Sequence, residues 1–236
     1  MGEVEIEVLT FDCYGTLVDW ETGILGAVLP LLHRYGVTSD ADRVLAAFAR
    51  AESAVQSQRE HVAYKEVLRR TFCEMAKDLG FTPAPEDANI LLESFGRWPL
   101  FPDTVASLQT LAARWPLGII SNVDDDLLAE TLTRVDVSFT WRITAERVGA
   151  YKPRVEMFEA AAVALARSSD ARRRSWVHVG QSRHHDIAPA RAFGLRTAHV
   201  VRPTGRQAMA VPACDAEGDW RVDDLRGLCE VLERVA

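Results

Sequence analysis

The chain is short of cysteine: Cys13, Cys73, Cys214 and Cys229 are the only four in 236 residues, and no two form a C-x-x-C pair. That excludes a disulfide framework and a zinc site of the usual spacing, and it fits reduced thiols in a cytoplasmic protein. No apolar run approaches the roughly 20 residues that a membrane-spanning helix needs. The acidic start Gly2-Glu3-Val4-Glu5 lacks the charge and apolar centre of a secretory signal. A basic stripe is missing too. The formal charge is -7, which argues against a nucleic-acid backbone as partner. The one basic cluster, Arg172-Arg173-Arg174, reads as a solvated loop ahead of a strand. Internal repeats and low-complexity tracts are also absent. What remains is ordinary for a globular protein, with 48% apolar and 26% charged residues. The length suits one large domain, or a core with a smaller insert.

Apolar periodicity divides the chain in two. A strand is expected over residues 4–11, where Val8-Leu9-Thr10-Phe11 is stopped at once by Asp12-Cys13-Tyr14-Gly15-Thr16-Leu17. From Ile24 to Ala76 the spacing is helical, through Val44, Leu45, Phe48 and Ala49, then Val67, Leu68, Phe72, Met75 and Leu79. Asp40 reads as an N-cap and Gly80 as a helix stop. A further helix is expected near 87–97. From Asp103 helices and strands alternate: helices 103–114, 125–134, 154–166 and 186–193, strands at 117–120, 141–143, 176–179 and 197–201. Continuous apolar strands of this kind suit a parallel sheet covered on both faces. Residues 202–219 read as a polar loop and 225–235 as a closing helix. The expectation is an α/β, doubly wound core over 1–19 and 99–236, with a helical cap over 20–98.

Polar residues recur where that sheet would bind a ligand, outside the carboxyl ends of its strands. Asp12 ends the first strand and Ser121-Asn122 the second. Lys152 stands in the loop Gly149-Ala150-Tyr151-Lys152-Pro153, and Gln181, Ser182 and Asp186 follow Val179-Gly180. A carboxylate placed like Asp12 can act as a nucleophile, forming an ester that water later cleaves. In this order the chain resembles the haloacid dehalogenase superfamily of hydrolases, whose motifs run nucleophilic Asp, Ser or Thr, Lys, and an acidic loop. The resemblance covers nearly the whole chain, including the place of the helical insert. Taken singly, each residue also has a plainer reading. Thr16 could cap its turn, Ser121-Asn122 and Asp186 could cap helices, and Lys152 could lie on the surface. Taken together, the resemblance implies that Asp12 is the nucleophile, with Thr16 and Lys152 as its supports. Ser121 and Asn122 would hold substrate, and Asp186 would serve the hydrolytic water.

Two departures redirect the chemistry. Phosphatases of this superfamily carry a second Asp two places after the nucleophile; here stands Tyr14, whose phenol, with a reference pKa of about 10, is no substitute. They also carry an acid after the glycine of the last motif, as a Mg²⁺ ligand, where this chain has Gln181. The D-x-Y-G-T-L form is similar instead to the L-2-haloacid dehalogenase branch. That resemblance implies displacement of halide at carbon without a metal or other cofactor. The expected substrate is a small carboxylic acid, and the expected product a 2-hydroxy acid. Tyr14, Ser121, Asn122 and Gln181 would bind it, with a cap arginine receiving the halide. Arg50 is the candidate for that arginine, with Arg43, Arg59 and Arg97 as rivals. Glu52 or Tyr64 facing the cleft would imply a different substrate. Trp20 and Trp98 read as hinge packing or pocket wall, and His184-His185 as loop residues or a polar network linked to Asp186 rather than metal ligands. The branch's Ser-Ser-Asn run is not kept, Gln181-Ser182-Arg183-His184-His185 filling its place. An atypical phosphatase, or a member that has lost its chemistry and binds a small acid or a protein, are the alternatives. A homodimer would call for exposed apolar surface on the cap.

Overall fold

The computed structural model describes residues 5–57, 61–202 and 214–235. The first strand, β1 (Val8–Phe11), is buried along its whole length. A helical insertion follows: α1 (Trp20–Arg34), α2 (Ala41–Gln56), α3 (Tyr64–Leu79), a 3₁₀ turn (Pro85–Asn89) and α4 (Ile90–Phe95). Next come α5 (Thr104–Ala112), β2 (Leu117–Ser121), α6 (Asp125–Leu132), β3 (Trp141–Thr144), α7 (Ala145–Val148), α8 (Glu156–Ala164) and α9 (Asp170–Arg173). The chain ends with β4 (Trp176–Gly180), a π turn (Arg183–Ile187), α10 (Ala188–Ala192), β5 (Arg196–Val200), β6 (Trp220–Val222) and α11 (Leu225–Val235).

Among the described residues six strands form one parallel sheet, in the order β3-β2-β1-β4-β5-β6. Successive strand residues point to opposite faces, and both faces are covered. Val8, Ile120 and Trp176 pack on one side against Met157, Phe158 and Ala161 of α8, and against Ala190 of α10. Leu9, Phe11, Ile119, Val177 and Val179 face the other side, where the apolar cluster runs on into α5, α11 and the inserted helices. The strand order reverses at β1, so the crevice between the ends of β1 and β4 is the topological switch point.

The insertion is held by specific caps and contacts. The Asp40 side chain accepts from Arg43 N–H at the start of α2, and Gly80 ends α3 in the left-handed region. A Cβ added to Gly23 of α1 would lie 2.3 Å from the Trp98 ring, so that helix–ring contact admits only glycine. One cap crosses from the sheet. Asp124, just after β2, accepts from the backbone N–H of Tyr64 (2.8 Å) and Lys65 (3.0 Å) at the start of α3. Tyr151 adds a bond from its hydroxyl to Val62 O at 2.6 Å.

The structure corrects several expectations. The first strand is four residues long, and Val4 lies outside the described residues. The segment 202–219 ends at a sixth strand, β6, that periodicity did not signal; 203–213 lie outside the described residues. The helix expected at 186–193 is a π turn followed by α10, so Asp186 is not its N-cap. Arg173 is not a solvated loop residue: it closes a helical turn and lies 3.9 Å over the Phe193 ring. Among the described residues no helix is long and apolar enough to cross a membrane. The large exposed apolar side chains among them, Val155 and Val163, lie beside or on α8 and not on the insertion.

Candidate active site

Asp12 is the first residue past β1, its backbone N–H still bonded to Val179 O of β4 (2.9 Å). Gly15 takes φ +100°, a turn that brings Thr16 back beneath the carboxylate. The Thr16 hydroxyl donates to Asp12 Oδ2 at 2.8 Å and accepts from Gln181 N–H at 3.0 Å. The buried pair Arg202–Asp103 (2.6 Å) holds this turn from behind, its guanidinium donating twice to Thr16 O.

Lys152 is 2% exposed, and its ammonium has each of its three hydrogens directed at an oxygen. They go to Asp12 Oδ1 (2.9 Å), Asp186 Oδ1 (2.6 Å) and Ile120 O (2.8 Å). Asn122 fixes the lysine's backbone from both sides: its amide donates to Lys152 O at 3.0 Å and accepts from Lys152 N–H at 2.6 Å. It lines the cavity, but half of its hydrogen-bonding capacity is spent on positioning Lys152, leaving one amide N–H and one carbonyl lone pair for a ligand. Asp186 reaches the cluster because Gly180 has no side chain: a Cβ there would lie 2.5 Å from Asp186 Cβ and Cγ. Its other oxygen accepts from Ser182 N–H (3.2 Å).

Behind Asp186 a buried relay runs into the sheet. Trp176 Nε1 donates to Thr10 Oγ1 (2.7 Å), which meets His178 Nδ1 (2.9 Å), and His178 Nε2 lies 3.4 Å from Asp186 Oδ1. Burial holds His178 below the ordinary imidazole range, so it is neutral and acts as a fixed dipole. The sequence reading missed His178, Asp103 and Arg202. The signal for the first was present, since a histidine inside the apolar strand Trp176-Val177-His178-Val179 needs a partner.

The three charges perturb one another. Burial raises the Asp12 carboxyl to about 6, against the pull of Lys152. Burial also opposes the charge on Asp186, yet Lys152 and His178 hold it well below the usual carboxylate range. Lys152 is disfavoured by burial as well, and its two carboxylates more than offset that, keeping it above an ordinary lysine. Around pH 7 the cluster is therefore two carboxylates on one ammonium.

A cavity of about 100 Å³ opens over Asp12, between the strand ends and the insertion. That is enough for a molecule of a few heavy atoms. Trp20 and Trp98 wall it, and Ser121, Gln181 and His185 line its floor. The buried Ser121 hydroxyl has no hydrogen-bond partner among the described residues, as expected of a group kept for a ligand. The Tyr14 ring lines the cavity against Phe95, with centroids 4.7 Å apart, while its hydroxyl is engaged by Thr131 Oγ1 at 2.8 Å. His185 meets Ser182 rather than a metal ligand set, and burial lowers it to about 4.

Arg50 is not brought to the site. It is exposed and pairs with Asp78 at 3.0 Å. The reason is helical phase: Phe48 and Glu52 of α2 line the cavity, and a residue two places from each points the other way at about 100° per residue. Arg43 and Arg97 do not line the cavity either, and Arg59 lies outside the described residues. In their place Glu52 and Tyr64 face the cleft, the arrangement expected to go with a substrate different from that of dehalogenases with a cap arginine. The donor set does not fit a divalent cation of the kind the phosphatases use. The Lys152 ammonium lies between Asp12 and Asp186, Gln181 stands where a third carboxylate is needed, and no three His, Cys, Asp or Glu converge among the described residues.

Solved structures share this architecture. The L-2-haloacid dehalogenase PA0810 superimposes with a TM-score of 0.80 at 20% identity, covering 97% of this chain and 99% of its own. The defluorinating L-2-haloacid dehalogenase Rha0230 gives 0.79 at 22%, covering 99% of both chains. The L-2-haloacid dehalogenase from Xanthobacter autotrophicus with chloropropionic acid covalently bound gives 0.80 at 18%, covering 98% of this chain and all of its own. At such identities the likeness is one of fold. No curated protein matches the sequence. A family model does: the haloacid dehalogenase-like hydrolase model matches residues 6–194. By that match, over most of its length, the chain belongs to the haloacid dehalogenase-like hydrolases.

Proposed function

We propose that the chain hydrolyses the carbon–halogen bond of a small 2-haloacid through an ester on Asp12, without a metal. The observation that carries this reading is the pairing of a lysine-held Asp12 with Tyr14, whose hydroxyl is tied to Thr131. An oxygen leaving group would need an acid at that position; a halide leaves with its electron pair and needs none. An Asp12 oxygen attacks the carbon as the carbon–halogen bond breaks. The unpartnered Ser121 hydroxyl and the free Asn122 N–H are the donors for the substrate carboxylate. Water then attacks the ester carbonyl of Asp12; one of its protons passes to the oxygen of the departing 2-hydroxy acid and the other to solvent, and the Asp12 carboxylate is regenerated. Asp186, held in place by Lys152 and by the Ser182 N–H, accepts a hydrogen bond from that water and orients it. We infer that α1–α4, within residues 20–98, form the cap that closes the cavity during attack.

The test is halide release from 2-chloropropionate with and without EDTA. Equal rates in both, with loss of at least a thousandfold in Asp12→Asn, are expected. Release of phosphate from small phosphate esters in a Mg²⁺-dependent reaction, with no halide released, would sink the proposal.

A further inference from the structure

An anion entering this cavity meets an unfavourable set of charges. Three carboxyl groups line it, Asp12, Glu52 and Asp186, and the ammonium among them is already bonded to two. With all three ionised the site would repel the acid it is proposed to bind. Glu52 decides the matter, because Asp12 must be ionised to attack and Asp186 is held ionised by Lys152.

Glu52 sits on the cavity face of α2, one turn after Phe48 and one turn before Gln56, which also line the cavity. Its Oε1 accepts from the Tyr64 hydroxyl of α3 at 2.6 Å. Its other oxygen has no partner among the described residues and is the one able to carry a proton towards a ligand. A second cavity of about 480 Å³ adjoins the first, and Glu52 and Gln56 line both. Glu52 therefore stands where an anion released above Asp12 would leave.

We propose that Glu52, oriented by Tyr64, is the specificity-determining residue of the site and receives the departing anion as a neutral hydrogen-bond donor. This rests on the reading of Asp12 as a nucleophile that expels halide. No proton moves in the step. The carbon–halogen electron pair leaves with the halide, and Glu52 keeps its proton because a hydrogen halide is the stronger acid. A neutral carboxyl thus stands where a guanidinium was expected, and ionised Glu52 closes the site to anions.

The surroundings support the neutral form near neutral pH. Burial in the cleft pushes Glu52 up to about 7, against the Tyr64 hydrogen bond, which favours its charged form. The phenols facing it, Tyr14, Tyr64 and Tyr151, are all raised by burial and stay neutral. His185 is neutral above about 4, Lys152 and Asp186 stay charged, and Asp12 titrates at about 6. In the outer cavity His61, His184 and Arg154 are the further titratable groups among the described residues, and a comparison with Glu52→Gln holds all of these constant.

Bromide binding, read at constant ionic strength as saturable quenching of tryptophan fluorescence (Trp20 and Trp98 wall the cavity), tests the proposal without turnover. From pH 6.5 to 8.5 the wild-type affinity should fall on the order of twentyfold, the ratio of the acid form of Glu52 at the two values. In Glu52→Gln, a neutral donor at both, that fall should shrink by tenfold or more. Tyr64→Phe should move the fall to higher pH, since it removes the bond that favours the ionised form. A wild-type affinity that does not change with pH, or the same fall in Glu52→Gln, overturns the proposal. Absence of saturable binding at both pH values overturns it too. Bromide binding with the expected pH dependence, but no halide release from 2-chloropropionate, would remove the dehalogenation reading and leave the anion-receiving role of Glu52 standing.

Discussion

Lys152 shows most plainly how one side chain decides the state of its neighbours. Replacing it by methionine keeps the length and removes the charge, leaving Asp12 and Asp186 buried against each other. Breaking a buried ion pair from one side costs about 3–5 kcal/mol, so Lys152→Met should unfold at markedly lower denaturant and release no product. Activity retained within tenfold would count against Lys152 as the support of Asp12. The pH profile is set by the same cluster. In the proposed reaction Asp12 attacks only when ionised, and its carboxyl lies at about 6. The rate constant for ester formation should therefore fall about tenfold per unit below pH 6 and, in Glu52→Gln, level off above it, whereas in the wild type it should fall again as Glu52 ionises above about 7; a rate unchanged down to pH 4.5 would contradict this. Asp12, Lys152 and Asp186 were legible in the sequence because they follow one another in a fixed order, at a strand end and in the segments beyond later strands. Arg50 was misplaced because residue type alone carries no helical phase. Only the positions of Phe48 and Glu52 on the same helix show that it points away.

At the scale of elements, glycine sites separate propensity from packing. Alanine in place of a helical glycine gains up to about 1 kcal/mol from propensity alone. At Gly23 the new Cβ would lie 2.3 Å from the Trp98 ring, and overpacking of that kind costs about 1–3 kcal/mol. Packing should win: Gly23→Ala is expected to lower the melting temperature, and to disturb the cavity wall that Trp98 forms. A raised melting temperature would show that α1 can move off the ring freely. Long periodic helices and apolar strands were readable because burial imposes the period, as along α2 and α3. The sixth strand was not, because Trp220-Arg221-Val222 is three residues long and follows a polar stretch. The π turn at Arg183–Ile187 was also hidden, since its local sequence looks like any helix start. It needs Gly180 to let Asp186 pack over the strand end.

Across the whole molecule, the inserted helices and the sheet meet at the Asp124 cap on α3, with Tyr151 bonded to Val62 beside it. Losing such a cap costs about 1 kcal/mol, so Asp124→Ala should stabilise the protein less and, if the insertion swings to admit substrate, raise KM more than it lowers kcat. An unchanged KM would mean that the two parts do not separate during turnover. The cap has a further consequence. The amides of Tyr64 and Lys65 are the first of their helix and have no carbonyl of their own to bond, so the aspartate of the other lobe is their protection from solvent. Their deuterium uptake then measures how often the lobes part. A ligand that holds the cleft shut should slow exchange at those two amides by the same factor as it lowers the open population, while amides deep in β1 and β4 stay silent.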